Sequence, residues 1–215
     1  MLRSAAVARI NQGIGFRAAG NALEANIILM LQEAQRDLEK GKTLPKFLLQ
    51  EEQPLILLEG SPAVNLPTGF LRLGDDLGIV AYGYGGVTTR LRPLIYIDLI
   101  DAYWASDDVV PGLPVAYSIR KDNIVFSSYA DQDYTFYWDY YKAADPLTSD
   151  IENAWLANAP EWLIGEAGWR LAMDLGNADA VLKFDQMRKA GNRAIIGEEI
   201  AGELAAGPYR MGANL

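Results

Sequence analysis

Residues 134–142 read YTFYWDYYK, six aromatic side chains in nine positions. On an extended strand, successive side chains point to opposite faces. Tyr134, Phe136, Trp138 and Tyr140 then share one face, and Thr135, Tyr137, Asp139 and Tyr141 share the other. The pattern predicts a sheet strand with one face in the core and the other covered by a helix or a neighbouring subunit. Stacking on single-stranded nucleic acid calls for a basic groove. Here Asp131, Asp133, Asp139 and Asp145 surround the stripe, and Lys142 is the one cation among them. A sugar-stacking platform is the alternative these residues leave open.

Upstream of this stretch the signal is β. Prolines 45, 54, 62, 67, 93, 111 and 114 break any long helical period. Candidate strands fall at 55–58, 70–73, 95–99, 115–120, 124–127 and 134–141, and the last three read as an antiparallel meander. SIRKDNIVF puts Lys121, Asp122 and Asn123 at its first turn, and SSYADQDYTF puts 130–133 at its second. GYGGV, at 83–87, reads as a loop.

Downstream the pattern becomes helical. LTSDIENAW carries a Ser-x-x-Glu capping box, with Ser149 as N-cap and Glu152 three residues on. The short helix that follows ends near Asn158, and Pro160 suits the first turn of the next. Trp162, Leu163, Ala167, Leu171 and Leu175 recur at helical spacing as far as Gly176. Asn177 then caps a long final helix that Gly207 and Pro208 stop. At the other end of the chain, Leu23, Ile27, Met30, Leu31, Ala34 and Leu38 mark an amphipathic helix. Asn21 is positioned to cap it and Gly41 to end it in a left-handed conformation. A shorter helix over 3–12, stopped by Gly13, precedes it.

The fold class predicted is α+β, with N-terminal and C-terminal helices packed as a bundle and an antiparallel β module inserted between them. The expected divisions are 1–43, 44–142, 143–207 and a tail at 208–215.

Composition narrows the chemistry. The 215 residues contain no Cys and no His, which excludes disulfides, thiolate metal sites, Ser-His-Asp and Cys-His catalysis, and zinc-hydrolase chemistry. The net charge of −9 argues against a protein that grips nucleic acid, though not against one that lets DNA pass. The longest apolar run, IILML at 27–31, is far short of the roughly 20 residues a membrane span needs. The N-terminus lacks a signal-like pattern, so the chain reads as cytosolic or as part of a particle assembled in the cytosol. The glycine loop has neither phosphate-binding spacing. Asp75 with Asp76, Asp107 with Asp108, and Asp98 with Asp101 are the candidate carboxylate pairs for glycan hydrolysis or calcium. Adjacent acids near turns are usually solvated surface, so the expectation is no enzyme, no metal and no cofactor.

Three stretches carry a resemblance. They are INQGIGFRAAGN with the helix and GKTLPKFLLQEE that follow it, VNLPTGFLRL at 64–73, and YTFYWDYYKAADPLTSDIENAWLANAPEWLIGEAGW. In order and spacing they resemble the head–tail adaptor proteins of tailed bacteriophages, a group related to the tail tubular proteins of short-tailed phages. An Asn-Trp-Leu element of that pattern is present as Asn153, Trp155 and Leu156, with Ala154 inserted. The resemblance does not extend to 74–112.

The resemblance implies a structural protein of the virion's head–tail junction. Its copies would form a ring, dodecameric in that group, docked on the portal protein. The ring would extend the channel through which double-stranded DNA is ejected and seat a tail or nozzle protein. For contacts between subunits the expected residues are Gly191, Ala194 and Gly197 on the last helix, together with Tyr137 and Tyr141. For the portal they are Tyr209, Arg210, Met211 and Leu215 in the tail. The rival readings are a carbohydrate-binding β module of a tail component and a carboxylate-dependent glycan hydrolase.

Overall fold

The computed structural model describes residues 1–15, 21–74, 78–81, 92–93, 95–97, 100–104 and 110–205. In chain order, α1 (Arg3–Gly13), α2 (Asn21–Glu39) and a 3-10 turn (Lys46–Leu48) come first. Then follow β1 (Leu49–Leu57), β2 (Ala63–Asn65), β3 (Phe70–Leu73), β4 (Ile79–Ala81), β5 (Arg92–Pro93) and β6 (Ile95–Tyr96). The short α3 (Asp101–Trp104) precedes β7 (Ala116–Arg120), β8 (Asn123–Phe126) and β9 (Tyr134–Lys142). The chain closes with α4 (Ala154–Asn158), α5 (Pro160–Asp174) and α6 (Ala178–Ala205). These elements form two compact units, one of Met1–Leu48 with Ala144–Leu215 and one of Leu49–Ala143. The fold is α+β, as the sequence predicts.

In the helical unit α5 and α6 form a tight antiparallel pair against which α1 and α2 pack. Ile10, Ile27, Leu31, Leu163, Ile164, Leu171 and Phe184 make its buried core. Glycine sets the closeness of the pair. A Cβ on Gly165 would sit 2.5 Å from the Arg188 backbone nitrogen, and one on Gly191 would strike the backbone nitrogen of Trp162. The α5–α6 turn follows the sequence reading. Gly176 is left-handed at φ +64°, and the Asn177 side-chain Oδ1 accepts from the Ala180 N–H at 3.1 Å. Gly41 does not behave as expected. It lies outside the left-handed region, and its N–H closes a tighter turn onto the Leu38 carbonyl at 3.1 Å.

The β unit is a sandwich. One sheet has the order β1-β9-β4-β5, with β3 also paired to β9, and the other has the order β2-β8-β7-β6. Among the described residues, all pairings are antiparallel except β6 with β7. β9 alternates in burial as the opening stretch requires: Tyr134, Phe136, Trp138 and Tyr140 are all buried. They meet Tyr117, Ile124 and Phe126 of the second sheet, and the Phe126 and Phe136 rings stack at 5.1 Å. Opposite β9, Gly78 leaves room for the Tyr117 hydroxyl, which a Cβ there would approach to 2.6 Å. Burial raises the pKa of that phenol.

The predicted meander is half right. β7 and β8 form the hairpin, with Arg120 opposite Asn123 and Lys121 at φ +50° in the turn. β9 does not pair with β8. Between them, Ala130 exchanges backbone bonds with Gly60 and Ser61, and the Tyr129 carbonyl accepts from Gly112. These bonds carry the chain across to the other sheet, where β9 pairs with β1, β3 and β4.

Candidate interaction surfaces

The capping residue of α4 differs from the one expected. Ser149 does not cap it: its carbonyl closes a local turn with the Ile151 N–H at 2.9 Å, and 151–153 are not helical. Asn153 caps instead, accepting from the Leu156 N–H at 3.0 Å. Its amide nitrogen donates to Gln35 Oε1 and to the Asp145 carbonyl, both at 2.9 Å. Trp155 is fully buried and donates from Nε1 to Glu39 Oε1 at 3.0 Å. Gln35 and Asn153 are buried polar residues, and burial is tolerable here because their polar atoms are bonded. Sequence reasoning missed Gln32, Gln35 and Glu39. Their spacing on one face of α2 and the need of a proline-containing linker for side-chain partners were the available signals.

A chain of charges ties the three long helices together. Asp37 of α2 meets Arg170 of α5 at 2.7 Å, Arg170 meets Glu166 at 2.9 Å, and Glu166 meets Arg188 of α6 at 3.1 Å. Asp185 then pairs with Arg188 at 2.8 Å and Lys189 at 2.6 Å. The Arg188 guanidinium also lies 4.1 Å over the Trp169 ring.

Hydrogen bonding from Arg170 holds the Asp37 carboxyl below its ordinary value of 3.8, and Lys189, then Arg188, do the same for Asp185. A carboxyl depressed in the folded state stabilises fully above its unfolded pKa and loses that contribution as pH falls through the folded value. The helical unit's thermal midpoint should therefore stay level down to about pH 5 and fall below about pH 4. Asp37→Asn should blunt the fall, and 0.5 M salt should reduce it because the pairs are partly exposed. Circular dichroism melts of both proteins between pH 7 and 2 measure this, and identical acid slopes would refute it.

The expected contact residues separate. Gly191 is buried against α5 and serves packing within the subunit, whereas Ala194 and Gly197 on α6 are exposed. Tyr137 is half-buried on the outer face of the β9 sheet. Tyr141 is buried, with the Arg72 guanidinium 4.9 Å over its ring. Tyr209, Arg210, Met211 and Leu215 lie outside the described residues, as do Asp75, Asp76, Asp98, Asp107, Asp108 and the glycine loop.

Three of the other acids have backbone or ion-pair work. Asp101 pairs with Arg120 at 2.8 Å, Asp133 accepts from the Glu59 N–H at 2.8 Å, and Asp139 accepts from the Glu52 N–H at 2.6 Å. Trp138 is 3% exposed, so its ring offers no open face to a sugar. The surface instead shows apolar side chains. Ile56 and Leu58 stand out at one side of the β unit, and Met173, Leu175 and Leu182 around the α5–α6 turn. Charge is uneven too. Residues 49–143 carry 13 acids against 6 bases, and the remainder 15 against 13.

Aromatic residues committed to packing and acids committed to holding backbone suit a structural protein. The family model of the SU10 adaptor protein matches residues 4–212, across both units. The chain belongs to the SU10 adaptor protein family, and its role is that of a structural adaptor of the phage virion. No curated protein matches it in sequence. Among the described residues no helix is long and apolar enough to cross a membrane.

Proposed function

We propose that copies of this chain close into a ring, dodecameric as in the head–tail adaptors it resembles. The ring docks on the portal protein, prolongs the DNA channel and seats the tail or nozzle protein. The family match over both units carries this reading, because an adaptor needs one part for its ring and another for its partners. A closed ring uses two different, complementary faces of each subunit. The outer sheet face with Ile56, Leu58 and Tyr137 is one candidate, and the α6 surface with Leu182, Ala194 and Gly197 is the other. The tail, with Tyr209, Arg210, Met211 and Leu215, is assigned to the portal. Seven of the nine net negative charges fall in the β unit, and a surface of that sign lets DNA slide past without holding it.

Mixing the protein with its assembled cognate portal tests this. The expected result is a ring matching the portal's symmetry by native mass spectrometry and electron microscopy. Ala194→Trp, at an exposed position, should leave the fold intact and prevent the ring. A protein that stays monomeric beside a correctly assembled portal would overturn the proposal.

A further inference from the structure

The chain leaves the helical unit after Leu48 and re-enters it at Ala144. Residues 143–146 have no regular secondary structure, and Pro146 contributes no N–H. Side chains of α2 hold this segment down. Gln32 Nε2 donates to the Leu147 carbonyl at 3.0 Å, and Gln35 Nε2 donates to the Ala144 carbonyl at 3.0 Å. Glu39 Oε1 accepts from the Ala144 N–H at 3.0 Å. Positions 32, 35 and 39 share one helix face, so α2 presents a polar row along the segment. Leu147, wholly buried, fixes its far end.

The exit at Leu48 is held by a different contact on the same residues. Phe47 packs edge-on against Trp155 at 5.1 Å, and Leu48 is buried, its N–H bonded to the Pro45 carbonyl at 3.0 Å. Trp155 donates to Glu39 Oε1, the oxygen that holds Ala144. That oxygen also takes Gln35 Nε2 at 3.0 Å. From this shared acceptor we infer that Glu39 couples the two crossings of the chain, so that 144–146 lifts from α2 and the 46–48 turn loosens as one event, with the helices still formed. Segments fixed by a few side-chain bonds open at lower free energy than helices whose backbone bonds reinforce one another. A pull on the chain at 49 or at 143 therefore reaches the same carboxylate. This coupling is a property of the helical unit and holds whether or not the ring reading does.

Amide hydrogen exchange on the full chain tests it. Glu39→Gln keeps the shape and removes the charge that strengthens three hydrogen bonds. It should speed exchange of both the Ala144 and Leu48 amides about tenfold, as expected for loss of about 1.4 kcal/mol, with α5 amides unchanged. Trp155→Phe keeps an aromatic ring under Phe47 but removes the indole N–H along with part of the ring, and it should also speed both sites. Acceleration of Ala144 alone in both variants would show independent crossings and overturn the inference. So would equal acceleration across α5, which would make Glu39 a general stabiliser, or no change at either site.

Discussion

Trp155→Ala should destabilise the helical unit by about 3–5 kcal/mol, the usual cost of emptying a fully buried tryptophan site. Three losses combine there. The ring is 0% exposed, it packs edge-on against both Phe47 and Trp162, and its N–H is one of three donors to Glu39 Oε1. Removing the ring leaves a cavity and a carboxylate short of one partner, and the second loss adds to the first. Urea unfolding followed at 222 nm, where helix dominates, measures the shift. A loss below about 1 kcal/mol, the level of an ordinary surface change, would mean that Trp155 is not the packing centre of this unit.

The β unit has its own counterpart. Phe136→Ala should cost about 3–5 kcal/mol, since Phe136 is 0% exposed, stacks on Phe126 across the two sheets and lies beside Tyr134. Thr135→Ala, one residue along on the exposed face, should cost about 0.5 kcal/mol or less. The contrast tests the alternation of β9 directly, because both changes sit on one strand. Exchange protection of β9 amides against denaturant reads the two effects. Equal losses would show that the strand buries both faces alike.

Much of this architecture is legible in the sequence because periodicity reports burial. The period of two over 134–142 located the inner strand, and Gly176 with Asn177 located the turn between α5 and α6. The errors share a cause: a local pattern with two solutions that only distant contacts decide. Ser149 and Asn153 both carry capping oxygens. Asn153 is used because Gln35 and the Asp145 carbonyl hold its amide in place. The turn residues at 130–133 point to β9 continuing a meander after β8. The bonds of 127–133 to residues 60–61 and 112 send it elsewhere, and no pattern within 127–133 announces them. The sequence pattern marks a strand at 55–58, yet β1 begins at Leu49. Its polar start, LQEEQ, lacks the alternation that marks a strand.

The interaction surfaces were less legible than the core. A glycine at helical spacing looks the same whether it admits a neighbouring helix of its own chain or another copy. Gly191 proves to admit α5, while Gly197 has open space around it. Tyr137 and Tyr141 lie on the same side of the strand in sequence logic. Tyr141 is nonetheless covered, because β3 lies along that end of β9 and sets Arg72 over the ring.

β1 ends its sheet's strand order, and an outermost strand invites another to pair with it. Its register slips between Gln50 and Gln53, where Glu52 takes a φ of +49° and gives its N–H to Asp139. Pro54 then removes a donor from the same strand. The border is thus bent, charged and interrupted within five residues, so an incoming strand finds no continuous ladder to extend. Edge-to-edge pairing of two copies along this border is thereby disfavoured. In the ring proposed above, contact between copies would be left to side-chain surfaces.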